Sequence, residues 1–420
     1  MKILYVSQYY SPEMGAPAAR VSELLRYWAK AGHDVTVLTG FPNHPTGKIP
    51  PEYQSKFRHL VMREVMDGVK VVRTWLLPFP NRKAYERILN YSSFCVSASI
   101  SGLFLPRPDV IIATSPQLLV GLSGHWLARC KAVPYIFEVR DLWPESLTAV
   151  GMGNDDSVMH HALAKIAGFL YRNCDQIVVV TPAFKDHLIE HWHVPPERIS
   201  IVQNGVETDL FAPRRADSLR RELNAEGKFV VSYVGTMGMA HGLETLVEAA
   251  SQLQRSSPNV LFLLVGEGAE KEHIIALARS RGLTNLRFVD QQPHENIPEY
   301  IAASNACLVL LKKTELFKTV IPTKMLEFMS CARPVILGVD GQARKIIEEA
   351  QAGIYIEPGN TDQLVHAITN LARDTSQCEL LGRNGRRHIQ QHFSRKQTAE
   401  AYVQLLESVL GRDSSLESKA

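Results

Sequence analysis

Phe229-Val230-Val231-Ser232-Tyr233-Val234-Gly235-Thr236-Met237-Gly238-Met239-Ala240-His241-Gly242 is the stretch that decides the fold. Its first six residues are β-branched or aromatic, apart from Ser232, and do not alternate between apolar and polar. That pattern suits a parallel strand covered on both faces. Glycines close the run, and an amphipathic helical pattern over Leu243–Gln254 starts at once. Strand, glycine turn and helix in that order make one unit of a doubly wound α/β sheet.

The same rhythm extends in both directions. Downstream, strands are expected at Val260–Val265, Leu286–Val289, Ala306–Leu310, Pro334–Leu337 and Gly353–Ile356. Helices lie between them at Glu270–Ser280, Ile297–Ala303, Thr323–Cys331, Gln342–Ala350 and Thr361–Ala372. Upstream, strands are expected at Lys2–Val6, Val35–Thr39, Val69–Thr74, Val110–Thr114, Tyr135–Glu138, Gln176–Val180 and Ile199–Val202, with helices such as Ala18–Ala31 and Gln117–Arg129. A chain of 420 residues exceeds one ordinary core and suits two α/β domains. The turn signal Asn204-Gly205, followed by charged sequence from Pro213 to Lys228, marks the boundary. The domains are placed at 1–204 and 205–394. A terminal helix over 395–412, with Tyr402, Leu405, Leu406 and Val409 on one face, is expected to cross back to the first domain. Two such sheets are expected to face each other across a ligand-binding cleft at the carboxyl ends of their strands.

Bulk properties exclude several classes. Apolar residues make up 45% and charged residues 21%, as in a globular protein, and the net charge of +3 comes with no basic run that would suit nucleic acid. Six scattered cysteines contain no Cys-x-x-Cys pair, which fits reduced thiols in a cytoplasmic protein. The apolar start Met1–Val6 stops at Ser7-Gln8, too soon for a signal peptide, and reads as a buried strand. Phe94–Leu105 is well short of the roughly 20 residues that span a bilayer. With Arg82, Lys83, Arg87 and Arg107 nearby it either packs in the first domain's core or docks on a membrane surface.

Several segments could carry chemistry, each with a plain structural alternative. Gly15 precedes the first helix, at a point where a helix dipole favours an anion, or else the loop merely starts a helix. Gly235 and Gly238, with Thr236 and His241, form a similar loop in the second domain. It lacks the Gly-Lys-Ser/Thr of a nucleoside-triphosphate loop, and the first loop lacks a dinucleotide fingerprint. Gly266-Glu267-Gly268 closes the next strand, either as a platform for a flat base or as a tight turn. Lys324 falls in the first turn of a short helix, where the dipole disfavours a cation unless an anion offsets it. Glu327 is three residues on and projects from the same face, so the two are a ligand-binding pair or a solvated ion pair. Glu138-Val139-Arg140-Asp141-Leu142-Trp143-Pro144-Glu145 follows a strand. There Asp141 or Glu145 could steer an acceptor hydroxyl and Arg140 a phosphate, or all could form structural ion pairs. No metal-ligand spacing links His125, His160, His161, His187, His191 and His193 with Cys or Asp, and neither Asp-x-Asp nor Gly-x-Ser-x-Gly occurs.

Taken in order, these residues resemble the retaining GT-B glycosyltransferases of family 4, from Met1 to about Leu410. The resemblance is carried by the opening strand–loop–helix, Ala31-Gly32-His33-Asp34-Val35-Thr36-Val37-Leu38-Thr39, Asn204-Gly205-Val206-Glu207-Thr208-Asp209-Leu210-Phe211, Gly266-Glu267-Gly268 and Glu327 through Ile336. Phe41-Pro42-Asn43-His44-Pro45-Thr46-Gly47-Lys48 and Pro322-Thr323-Lys324 are similar to the branch that builds O-antigen, capsule and colanic-acid-type polysaccharides, L-fucosamine transferases included. The resemblance implies a nucleotide-sugar donor as co-substrate, UDP-linked by branch, and no other cofactor and no metal. It implies a saccharide or polyprenyl-diphosphate-linked acceptor, at the cytoplasmic face of the membrane. It assigns the donor to Gly15, Gly235, Thr236, Gly238, His241, Gly266, Glu267, Gly268, Ile297, Lys324 and Glu327, and catalysis to Asp141, Glu145, Lys324 and Glu327. Domain closure would exclude water. The chain departs from the family pattern at Thr236 and His241, where the family has Arg and Lys, and at Thr319, where it has the first of two glutamates eight positions apart. Lys324 is expected to supply the missing charge. The alternatives are a sugar-nucleotide epimerase or phosphorylase of similar fold, and a non-catalytic sugar-binding or assembly protein.

Overall fold

The computed structural model describes residues 1–13, 15–44, 46–80, 84–146 and 157–417. The chain divides into two compact units, Met1–Gln203 with Lys396–Ala420, and Asn204–Arg395.

The first unit holds β1 (Lys2–Val6), β2 (Asp34–Gly40), β3 (Val61–Met66), β4 (Val69–Thr74), β5 (Val110–Thr114), β6 (Tyr135–Val139), β7 (Gln176–Val179) and β8 (Ile199–Ile201). They lie in the order β3-β4-β2-β1-β5-β6-β7-β8. The second unit holds β9 (Phe229–Val234), β10 (Val260–Val265), β11 (Leu286–Val289), β12 (Ala306–Leu310), β13 (Val335–Gly338) and β14 (Gly353–Tyr355), in the order β11-β10-β9-β12-β13-β14. In each sheet the chain order reverses beside the first strand, at β1/β5 and at β9/β12. Doubly wound sheets bind ligands at that switch point.

The unalternated apolar runs are explained by burial on both faces. In β9, Val230 and Val234 join one core, while Phe229, Val231 and Tyr233 join the core on the other side of the sheet. β10 divides the same way, with Leu261, Leu263 and Val265 on one face and Val260, Phe262 and Leu264 on the other. In the first unit, the helix Arg395–Glu417 lays Ala399, Tyr402, Leu406 and Val409 into the core around Tyr5, Val21, Leu24 and Trp28. The Trp28 indole donates to the Ala399 carbonyl at 3.0 Å, and its ring meets Tyr402 edge-on at 5.2 Å.

The structure departs from the sequence-based expectation at β3. That strand pairs with β4 antiparallel, at the sheet edge, with alternating exposure. The two are joined at Asp67-Gly68, both residues having positive φ (51° and 82°). A two-residue Asp-Gly connection is a strong hairpin signal. Helix α1 (Ala16–Lys30) follows β1, α2 (Pro51–Phe57) precedes β3, α3 (Ala84–Leu103) precedes β5 and α4 (Val120–Lys131) precedes β6.

Candidate functional site

In the second unit, the loops after β9 and β10 interlock. Gly235 N–H donates to the Val265 carbonyl at 2.9 Å and Met237 N–H to the Glu267 carbonyl at 2.8 Å. The turns approach so closely that a Cβ at Gly266 would sit 2.2 Å from the Gly235 carbonyl oxygen, and one at Gly268 would sit 2.2 Å from that of Met237. The glycines predicted as ligand contacts are therefore also required for the turns to touch at all. Glu267 is braced from the side: its carboxylate pairs with the buried Lys271 at 2.5 Å, and Lys271 also meets Asp290 at 2.6 Å.

Lys324 reaches this junction from the helix Thr323–Ser330, which follows β12 on the far side of β9. Its Nζ donates to the Tyr233 hydroxyl at 2.9 Å and lies 4.1 Å from the centre of that ring. A Cβ at Gly235 would be 2.9 Å from the same Nζ, so a side chain there would push the amine from this position. Tyr233 is held in turn by donating to the Thr236 carbonyl at 2.6 Å. Burial pushes the Lys324 ammonium down to about 7, with Glu327 offsetting part of that. His241 sits 3.2 Å from the Gly238 amide and is pushed down to about 3 by burial and by Lys324. It is a neutral imidazole at physiological pH, so position 241 supplies no charge. The Gly235, Met237 and Gly238 amides already have partners within the protein, which leaves Lys324 as the feature best placed to draw an anion. Thr319 bonds its hydroxyl to the Leu316 carbonyl at 2.6 Å. Ile297 opens the helix Ile297–Ala302 and packs on the core that holds Val265 and Met325.

The first unit builds a separate polar cluster at the carboxyl ends of β1, β5 and β6. Gly15, at φ 125°, caps α1. Arg140 donates at 3.2 Å to the Ala16 and Pro17 carbonyls, so it ties the start of α1 to β6. Asp141 follows; burial pushes its carboxyl up to about 6 against the pull of Arg140. Glu145 lies 3.1 Å from His187 Nε2, and that bond holds its carboxyl below the usual range despite burial. Beneath them, Glu138 is fully buried: Arg20 pairs with it at 2.8 Å, and Tyr5 and Thr114 donate to its other oxygen at 2.7 and 2.5 Å. Burial raises the Glu138 carboxyl, and Arg20 and Arg140 bring it down to about 2.

Two groups escaped the sequence reading. Glu13 is buried and accepts from the Asn43 and His44 amides at 2.9 and 3.0 Å, and burial pushes it up to about 7. Its other oxygen is buried and, among the described residues, has no hydrogen-bond partner. Gln8 donates to Asn90, and Asn90 donates to Asn43 and to the Leu77 carbonyl. Glu13 is a loop residue with no spacing to betray it; the fold brings the Asn43 and His44 amides to it. The second is a surface group in the second unit: Glu244, Glu270 and His273 bring three ligand atoms within 4.8 Å of one another, a constellation invisible in their spacing.

Comparison with known proteins extends this geometry. Residues 15–205 match the glycosyl transferase 4-like domain, and residues 215–388 match the glycosyl transferases group 1 family. An Escherichia coli K12 protein named as the colanic acid biosynthesis glycosyl transferase WcaI is 26% identical over 381 residues, covering 88% of this chain and 91% of its own. Among solved structures, sucrose-phosphate synthase from Thermosynechococcus elongatus superposes with a TM-score of 0.75 at 22% identity, covering 98% of this chain and 99% of its own. Anabaena Alr3699/HepE, in complex with UDP and glucose, superposes with a TM-score of 0.72 at 17% identity, covering 97% and 100%.

Proposed function

We propose, from the premise that this chain is a GT-B glycosyltransferase of family 4 type, that it transfers a hexosyl or N-acetylhexosaminyl group from a UDP-linked donor with retention of anomeric configuration. The acceptor is a saccharide or a polyprenyl-diphosphate-linked saccharide in bacterial surface polysaccharide synthesis. The colanic-acid relative, at 26% identity over most of both chains, supports the pathway class. The UDP held by a structural neighbour makes UDP the first nucleotide to test.

The observation that carries the reading is the Lys324 amine packed against the Gly235 turn, at the switch point of the second sheet. A buried amine pushed toward neutrality gains most from a dianionic partner, because the ligand restores its charge and satisfies it. Glu327, one helical turn away, is suited to sugar or ribose hydroxyls. In the transfer, the bond from the anomeric carbon to the diphosphate oxygen breaks. The acceptor oxygen bonds to that carbon on the same face, and its proton passes to the departing phosphate oxygen. The protein's contribution is positioning and stabilisation of the leaving diphosphate by Lys324, without a metal. Asp141, partly protonated at neutral pH, orients the acceptor hydroxyl in the first unit, with Glu145 held in reserve by His187.

Release of nucleoside diphosphate from a panel of nucleotide sugars, with thermal shift as the binding readout, tests this. Donor-dependent stabilisation with acceptor-dependent release is expected. Tight binding of a sugar nucleotide with no release over a broad acceptor panel would favour the non-catalytic reading, and interconversion of the donor sugar without transfer would favour the epimerase.

A further inference from the structure

Helix α3 is apolar on two opposite sides. Phe94, Ala98 and Gly102 face inward: the first two are fully buried, and a Cβ at Gly102 would lie 2.5 Å from Leu127 of α4 and 3.1 Å from Leu38 of β2. On the other side, Tyr85, Ile88, Leu89, Val96, Ile100 and Leu103 are exposed, from 41% to 60% of their surface. At about 3.6 residues per turn, the two sets are centred on opposite faces of the helix. Every described residue of α3 that is exposed is hydrophobic. Phe104, 77% exposed, extends the stripe past the helix end. Twenty residues make a helix about 30 Å long, so the face is a long, narrow band, larger than the scattered apolar residues of an ordinary surface. No helix among the described residues is long and apolar enough to cross a membrane.

Charge identifies the occupant. Lys131 and Arg107 gather at the Leu103 end of the band: Lys131 donates to the Leu103 and Leu105 carbonyls at 3.1 and 2.7 Å, and Arg107 to those of Lys131 and Ala132 at 2.9 and 2.7 Å. Asp109, the nearest acid in sequence, bonds the Lys2 amide instead. Arg87 does not belong to this face; its charge bears on His44 and Tyr91, on the inner side of α3. Arg82 and Lys83 lie outside the described residues.

We infer that the outer face of α3, with Phe104 and the cations Arg107 and Lys131 at its end, is a docking surface for an anionic phospholipid membrane. A band of aliphatic and aromatic residues along a helix, with cations at its end, is what an in-plane interfacial helix presents: the apolar side enters the headgroup–acyl boundary while the cations meet lipid phosphates. The inference deepens the lipid-linked-acceptor reading by placing this unit where such an acceptor resides.

The test is flotation of the full-length protein with neutral phosphatidylcholine vesicles and with vesicles containing phosphatidylglycerol. Capture by the anionic vesicles, weakened by salt, is expected. Val96→Glu with Ile100→Glu, both on the exposed face, should lower capture by at least about tenfold, while thermal stability and UDP binding stay at wild-type levels. Arg107→Glu should lower capture by the anionic vesicles alone, with thermal stability read in parallel. The inference is overturned if the wild type does not float with anionic vesicles, if neutral vesicles capture it equally, or if the double variant floats as well as the wild type. It is also overturned if the wild type forms a dimer that the double variant abolishes and neither binds lipid, which would assign the face to a second copy of the chain. Vesicle capture needs neither donor nor acceptor, so its failure would leave the transferase reading standing, and the reverse.

Discussion

Replacement of Lys324 by alanine should separate binding from folding. In the free site this amine is buried and pushed down to about 7, so its charge is held at a cost. At an effective dielectric of about 20, a unit charge 4 Å from an anion gains about 4 kcal/mol, and a hydrogen bond to a charged group nets about 1.5–3 kcal/mol once desolvation is counted. Lys324→Ala should therefore weaken UDP binding by roughly 10- to 150-fold. The pH dependence sharpens the test. Raising the pH through 7 deprotonates the free lysine, and UDP must then draw a proton back onto it. Wild-type affinity should fall about five- to tenfold between pH 7 and pH 8, with proton uptake on binding. The variant should be flat over that window, which lies above the phosphate ionisation near 6. Titration calorimetry in buffers of different ionisation heat reads both quantities. The variant's melting temperature should match or exceed the wild type's, because an unfavourable buried charge has been removed. Affinity within about threefold of wild type, or an unchanged pH slope, would refute the reasoning.

Other expectations follow from the same geometry. Gly266→Ala places a methyl 2.2 Å from the Gly235 carbonyl at φ 142°, so it should cost about 1–3 kcal/mol of stability and abolish donor-induced thermal shift. Asp141→Asn should leave UDP affinity unchanged and reduce turnover by about a hundredfold or more; normal turnover would reject its acceptor role. Glu13 is raised from the usual carboxylate range to about 7, so its contribution to stability is complete in acid and lost as pH rises through 7. In denaturant titrations Glu13→Gln should therefore gain on the wild type between pH 5 and 8, by up to about 3 kcal/mol. Glu138→Gln strands the buried Arg20 and should cost about 3–5 kcal/mol at neutral pH by denaturant unfolding.

The parallel strands were legible because burial on both faces leaves continuous apolar runs, as in Phe229–Val234 and Val260–Val265. β3 was not, because Arg63-Glu64 interrupts its apolar residues and the exposed face carries Val61 and Val65, so neither a continuous run nor a clean alternation marks it, although Asp67-Gly68 marked its hairpin. Lys324 was legible as a cation misplaced in a first helical turn. Its partner Tyr233 was not, since a tyrosine inside a buried strand reads as core until the chain after β12 brings an amine over its ring. The four charged groups of Glu138–Glu145 proved to divide by depth: Glu138 belongs to a sealed network with Arg20, Arg140 ties α1 down, and Asp141 and Glu145 lie above them. For α3, the sequence offered core packing or surface docking as rivals, and the two apolar faces show that one helix has the means for both.

The helix Arg395–Glu417 also sets what each unit needs in order to close. The hydrophobic centre around Trp28 is incomplete without residues 399–406, since Ala399, Tyr402 and Leu406 belong to it. The second unit, by contrast, is a single uninterrupted segment, Asn204–Arg395. Closure of the two units therefore need not follow the order of the sequence: a chain cut after residue 395 would keep every residue of the second unit and leave the first with its hydrophobic centre unsealed.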